Sequence, residues 1–220
     1  MENLIRERLL QIQEDIAPCK PNIIAVTKYF EVQTTVDAYN AGLRDFAESR
    51  VNDAIDKINS LPSYIRENSK FHFIGHLQSN KVSKVVKYFD FIHSVDSLNL
   101  AEKISQSASG QNKIQKVFIE VNFAKDDNKF GYSKEALYSD FGEIAKLKNI
   151  EILGLMSMAP LGAEEEFLYQ LYKKVVYVQK DLNEKYLVNM TETSMGMSQD
   201  YIIAAKCGAT QLRIGRKLFT

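Results

Sequence analysis

The sequence predicts a single-domain (β/α)8 TIM barrel, an α/β fold with an extra N-terminal helix. Three observations carry this prediction. Short β-branched runs alternate with apolar residues at helical spacing along the whole chain, the runs count to eight, and the connections between them are short. One domain over residues 1–220 accounts for that count, near the small end for the fold, and an open doubly wound sheet is the competing architecture.

The chain begins with Ile5, Leu9, Ile12 and Ile16 at helical spacing, a helix over residues 2–16 closed by Pro18 and Pro21. A first strand, Asn22 to Lys28, carries Ile23, Ile24, Val26 and Thr27, suited to burial on both faces of a parallel sheet. Val32, Val36 and Tyr39 form a helix ended by Gly42, and Arg44 to Ala47 is the second strand. A helix through Val51, Ile55 and Ile58 leads to the strand Lys70 to Ile74, and a helix through Val82 and Val85 to the strand Phe91 to Ser94. Leu100 and Ile104 mark the next helix, Lys116 to Asn122 the fifth strand, Leu137, Phe141 and Ile144 a helix, and Ile150 to Met156 the sixth strand. The longest helix runs through Leu168, Leu171, Val175, Val178 and Leu182. Glu192 to Ser194, a helix over Gln199 to Cys207, and Gln211 to Ile214 complete the ladder.

Composition narrows the function classes. The 28 Lys and Arg balance the 28 Asp and Glu, so no global field draws the protein to nucleic acid or to an anionic membrane. The first eight residues carry charges where a signal peptide needs an apolar core, and the least polar stretch, Ile152 to Ala163, is far shorter than the ~20 residues of a membrane span. Cys19 and Cys207 form no ligand-spaced pair, which argues against zinc and fits a reducing cytoplasm.

Barrel active sites lie at the C-terminal ends of the strands. The first strand ends at Lys28, which alternation places on the face of Ile24 and Val26. An amine emerging from a buried strand can be desolvated and made nucleophilic, although a lysine simply leaving the strand into water is the commoner case. After the seventh strand, Thr193-Ser194-Met195-Gly196-Met197-Ser198 joins strand to helix with hydroxyls, a glycine and free backbone N–H groups, the makings of an anion cradle. Ser198 as an N-cap of the following helix explains one of those serines without a ligand. In the eighth strand Arg213 faces opposite to Leu212 and Ile214, hence into the barrel, where either a structural ion pair to Glu120 or Glu48 or a ligand must receive it. Loops after strands seven and eight commonly bind phosphate in such barrels, and here they carry the serines and Gly215-Arg216.

His72 and His76 are spaced i, i+4 across a strand end, with Phe73 where a zinc protease needs Glu, and no metal site is expected. Ser79 or Asn80 reads as a helix cap, and Lys81, Lys84 and Lys87 as a solvated helix face.

The segments Ile24-Ala25-Val26-Thr27-Lys28, Phe71 to Lys81, Gly154 to Pro160, Thr193 to Asp200, and Gly208-Ala209-Thr210 through Arg213-Ile214-Gly215-Arg216 together resemble the pyridoxal phosphate homeostasis protein family over nearly the whole chain. The resemblance implies a barrel similar to the N-terminal domain of alanine racemase that binds pyridoxal 5′-phosphate (PLP). It implies Lys28 as the residue of the internal aldimine, Ser194 with the backbone around Met195, Gly196, Gly215 and Arg216 as the phosphate cup, and Arg213 facing the pyridine nitrogen. It further implies a cytoplasmic handler of vitamin B6 that affects amino- and keto-acid balance, without catalytic residues or established turnover. A PLP-dependent amino-acid racemase is the alternative, and a sugar-phosphate enzyme would use the same cup but give no role to the amine. Where the family commonly reads Gly-Glu-Asn, this chain has Ala47-Glu48-Ser49, so no role is carried to Ser49. A monomer is expected, with protein partners left open.

Overall fold

The computed structural model describes residues 1–124 and 130–220. Its elements run in the order α1 (Glu2–Asp15), β1 (Asn22–Val26), α2 (Val32–Asn40), β2 (Asp45–Glu48), α3 (Val51–Ser60), α4 (Ser63–Glu67), β3 (Lys70–Phe73), α5 (Val82–Tyr88), β4 (Phe91–Val95), α6 (Leu98–Gly110), β5 (Gln115–Val121), α7 (Lys134–Ile144), β6 (Ile150–Ser157), α8 (Glu165–Tyr186), β7 (Glu192–Ser194), α9 (Tyr201–Cys207), β8 (Gln211–Ile214) and α10 (Arg216–Phe219). The strands pair in sequence order, all parallel, and β8 returns to β1 with Asn22 opposite Gln211 and Ala25 opposite Ile214. The barrel is closed, so no strand edge is left open, and the open-sheet alternative is excluded.

Two cores follow from strand alternation. Along β5, Val117, Ile119 and Val121 pack outward into the layer between sheet and helices, together with Leu155, Phe141, Tyr172, Val175 and Leu212. Phe118 and Glu120 occupy the alternate, inward positions and are buried as well. The N-terminal helix buries Ile5, Leu9 and Ile12 and packs on α2 and α10. Its apolar stripe therefore belongs to the outer layer.

Three local readings are corrected. The first strand ends at Val26, not Lys28: the Thr27 amide still donates to the Ala47 carbonyl at 3.0 Å, but Phe30 N–H then closes a turn on the Thr27 carbonyl at 2.9 Å. Lys28 thus sits in the β1–α2 turn, half-buried. Neither Ser79 nor Asn80 caps α5, because a short 3-10 turn, Ser79–Lys81, intervenes and the Ser79 hydroxyl accepts from Lys103 Nζ at 2.9 Å. Ser198 does not cap α9; its oxygen is used elsewhere, as described below, and the Asp200 carboxylate receives the Met197 amide. The short helices α4 and α10 have no apolar periodicity long enough to read, being too brief to show a repeat.

Among the described residues no helix is long and apolar enough to cross a membrane, and no group of His, Cys, Asp or Glu could hold a metal ion. Cys19 and Cys207 are unpaired.

Candidate functional site at the C-terminal mouth of the barrel

Lys28 follows β1, Arg213 lies in β8 with Gly215 just after it, and Ser198 lies in the β7–α9 loop, elements that the parallel closure of the barrel makes neighbours. The residue before Lys28 is held firmly. Thr27 donates its hydroxyl to Glu48 Oε1 at 2.7 Å, and Lys57 Nζ bridges Glu48 Oε1 and the Thr27 carbonyl, both at 2.7 Å. Glu48 and Lys57 form a buried ion pair on the helix side of the sheet, so Glu48 is not the partner of Arg213. Their bonds to both ends of Thr27 fix the point from which Lys28 leaves the barrel wall.

Ser198 supplies the clearest sign of an anion site. Its Oγ accepts the backbone amides of Gly215 at 3.3 Å and Lys217 at 3.2 Å, so that a side-chain oxygen lies where loop N–H groups converge beyond β8. A phosphate oxygen has the same acceptor chemistry with more charge. An open cavity of about 510 Å³ adjoins this point, and Arg8, Arg216 and Lys217 line it with positive charge. At the end of β6, beside the carbonyl that Arg213 holds, the Ser157 hydroxyl is buried with no hydrogen-bond partner among the described residues. The donor set therefore fits a phosphorylated ligand.

Ser194, Met195 and Gly196, expected at the cup, make hydrogen bonds within the fold. Ser194 is fully buried, and its hydroxyl is held between Arg213 Nη1 at 2.6 Å and His93 Nδ1 at 2.8 Å. The Met195 amide is taken by the Gln211 carbonyl at 3.1 Å, and the Gly196 carbonyl by the Arg213 amide at 3.0 Å. Gly196, at φ +90°, is required by packing: a Cβ there would stand 2.5 Å from Ala204 Cβ and 2.8 Å from Leu212 Cδ2. In the same loop the Ser198 hydroxyl is the one that gathers the Gly215 and Lys217 amides. Arg216 is exposed beside them.

Arg213 is buried and points into the barrel as its alternation with Leu212 and Ile214 requires. Its Nη2 donates to the Ser157 carbonyl at 2.9 Å, so both ends of the guanidinium are held by neutral acceptors. Burial lowers its pKa, while Tyr172, Asp200 and Glu120 act in the opposite direction. Glu120 faces it from β5 without forming an ion pair of salt-bridge length, and burial, reinforced by Asp96, pushes the Glu120 carboxyl up to about 7. Asp96 in turn meets His76 Nδ1 at 3.2 Å, and the His76 ring stacks on Phe130 at 3.7 Å.

Residues 2–220 match the family described as alanine racemase, N-terminal domain. A pyridoxal phosphate homeostasis protein of Synechocystis sp. is 40% identical over 208 residues, covering 94% of each chain. The chain belongs to this family. A second family member, from Aquifex aeolicus, is 34% identical over 197 residues, covering 90% of this chain and 85% of its own. Among solved structures, PipY of Synechococcus elongatus without PLP superposes with a TM-score of 0.92 at 35% identity, over 98% of this chain and all of that one. The same protein with PLP bound gives 0.90 at 34% identity over the same 98%. Alanine racemase of Clostridium difficile shares the fold, with a TM-score of 0.80 at 16% identity, and the match takes in 56% of its chain. For this family the barrel is thus the shared frame.

Proposed function

We propose that this protein is a pyridoxal 5′-phosphate-binding protein of vitamin B6 and amino- and keto-acid homeostasis, a cytoplasmic monomer that holds the cofactor without ordinary turnover. One observation carries the reading: the turn that bears Lys28, the loop amides gathered on Ser198 and the buried Arg213 belong to the C-terminal sides of the neighbouring strands β1, β7 and β8. When bound, the cofactor supplies an aldehyde to an amine and an electron-withdrawing ring. Lys28 presents the amine from a turn anchored by Thr27, Glu48 and Lys57. Ser198 and the amides of Gly215 and Lys217 receive the phosphate, with Arg216 and the Lys217 ammonium adding charge nearby. Arg213 offers its remaining N–H groups to the pyridine nitrogen. The relatives' names and the PLP-bound PipY structure support the choice of ligand. Two unpaired cysteines are in keeping with a reducing compartment.

The same residues argue against fast racemisation. A guanidinium keeps its proton near neutral pH, so Arg213 donates to the ring nitrogen and holds it unprotonated, which weakens the ring as an electron sink. Racemisation also needs an acid or base on each face of the α-carbon, and Lys28 serves one. The test is direct. Purified protein loaded with PLP should absorb in the visible, and borohydride reduction followed by peptide mapping should place the label on Lys28. Label on another lysine, or none, overturns the site. Lys28-dependent α-deuterium exchange of L-amino acids at about 1 per second or faster overturns the non-enzymatic reading.

A further inference from the structure

TIM-barrel interiors are usually filled by branched aliphatic side chains. This one carries a continuous polar chain that cofactor binding alone does not require. Asp45 Oδ1, at the start of β2, lies 2.9 Å from His72 Nε2; His72 Nδ1 lies 2.9 Å from His93 Nε2; His93 Nδ1 lies 2.8 Å from Ser194 Oγ; and Ser194 Oγ lies 2.6 Å from Arg213 Nη1. The chain crosses β2, β3, β4, β7 and β8, so it runs through the barrel from its N-terminal end to the ligand mouth. Both imidazoles are clamped by stacking, His72 on Phe91 at 4.3 Å and His93 on Phe118 at 4.3 Å.

With neutral rings the chain has one direction. Arg213 can only donate and the Asp45 carboxylate can only accept, so with both imidazoles neutral Ser194 Oγ accepts from Arg213 and sends its own hydrogen to His93 Nδ1. His93 is then neutral with its proton on Nε2, which it donates to His72 Nδ1, and His72 donates from Nε2 to the Asp45 carboxylate. Burial, with His72 and Arg213 adding to it, holds His93 well below the usual imidazole range, in agreement with a neutral ring. A cation at the mouth is thus joined to a carboxylate at the opposite end by aligned donors, each of which polarises the next.

We propose that His72 and His93 are positioning residues for Arg213: acting through Ser194, they fix the rotation of the guanidinium so that its free N–H groups meet the ring nitrogen of the ligand. The inference rests on the PLP reading above. In that assignment the Ser194 hydroxyl turns its hydrogen to His93 and a lone pair to Arg213, and the Ser157 carbonyl holds the second terminal nitrogen, so the guanidinium plane is fixed at two points. Without His93 the Ser194 hydroxyl is free to rotate and Arg213 loses one of those points.

The experiment compares two probes, PLP and its 1-deaza analogue, in which the ring nitrogen is replaced by carbon. Apo-protein is titrated with each, for wild type, His93→Phe and Asp45→Asn. Phenylalanine keeps the stack on Phe118 and removes both hydrogen bonds. His93→Phe should raise the Kd for PLP about tenfold, the scale of one charge-assisted hydrogen bond, and move the Kd for the deaza analogue less than about twofold. A merely structural role for His93 would weaken both probes alike, and that result overturns the proposal, as does unchanged PLP affinity. Should His93→Phe fail to fold, Asp45→Asn at the partly exposed end of the chain decides, and it must show a PLP-selective loss in the same direction. Wild-type protein that binds no PLP would sink the functional reading and this inference together. Wild-type binding with labelled Lys28 that is indifferent to the chain sinks this inference alone.

Discussion

Replacing Glu120 by Gln should stabilise the apo-protein, and by an amount that depends on pH. Glu120 faces inward from β5 and is almost fully buried, with Asp96 and Arg213 as its charged neighbours. Burial and Asp96 raise its carboxyl from 4.5 to about 7, against the opposing pull of Arg213. The folded state therefore binds this proton more tightly than the unfolded chain does. Below about pH 4.5 both states are protonated and the residue costs nothing; as pH rises through about 7 the folded state must either keep the proton or bury a charge, and stability falls. The difference between about 7 and 4.5, at about 1.4 kcal/mol for each tenfold in proton affinity, comes to about 3 kcal/mol above pH 8. Glutamine has the same shape and no charge. For a chain of 220 residues that corresponds to a rise in Tm on the order of 6–12 °C at pH 8.5, shrinking towards zero near pH 4.5. Thermal melts of both apo-proteins across that range give the answer. Parallel Tm curves would show that Glu120 is ionised at no cost and would refute the reasoning, because every other titrating group is shared by the two proteins.

Ser198→Ala should weaken PLP about ten- to a hundredfold in direct titration, the loss of a hydroxyl at a charged oxygen, while leaving the melting curve within about 1 kcal/mol of wild type. Ser194→Ala should do the opposite in the apo-protein, costing about 1–3 kcal/mol in urea melts because it strips a buried acceptor from Arg213 and leaves His93 Nδ1 unpaired. Gly196→Ala should cost about 2–4 kcal/mol in the same assay, since the new methyl meets Ala204 and Leu212 and the residue must hold a positive φ. The His93 ring should show no protonation by NMR between pH 8 and 5, with its proton on Nε2; because the unfolded chain does bind that proton below about 6.5, stability should decline as pH falls past that value.

The barrel was legible because each layer has its own periodicity. Val117, Ile119 and Val121 alternate along one strand and Leu168, Leu171, Val175 and Leu182 recur along one helix, and both sets enter the same outer core. Arg213 was placed correctly by the same alternation, since Leu212 and Ile214 are the outward pair. The hydrogen bonding of the cup is less legible. Ser194, Met195 and Gly196 have the residue types of an anion loop, but whether an amide is free depends on the neighbouring strand, and β8 takes the Met195 amide through Gln211. No local pattern reports that. His93 was passed over although the signal was present: His72 and His93 hold inward positions on consecutive strands, and two inward histidines in a barrel interior call for each other as partners. Asp45 was hidden by the short second strand, where a single residue decides which side chains face in.

A polar chain through the middle of the barrel also explains how a single closed sheet can support a buried cation at its mouth. A guanidinium there needs several acceptors, and a carboxylate placed directly against it would occupy the N–H groups a ligand must use. Glu120 stands close but is held near neutrality by its own burial, and Glu48 is taken by Lys57. The countercharge is instead set at the far end, on Asp45, and reaches Arg213 through neutral groups that cannot compete for the same site. Such an arrangement favours holding a ring nitrogen over changing its charge. On the function proposed above it suits retention of PLP better than turnover, because the residue assigned to that nitrogen is the one least able to give up a proton.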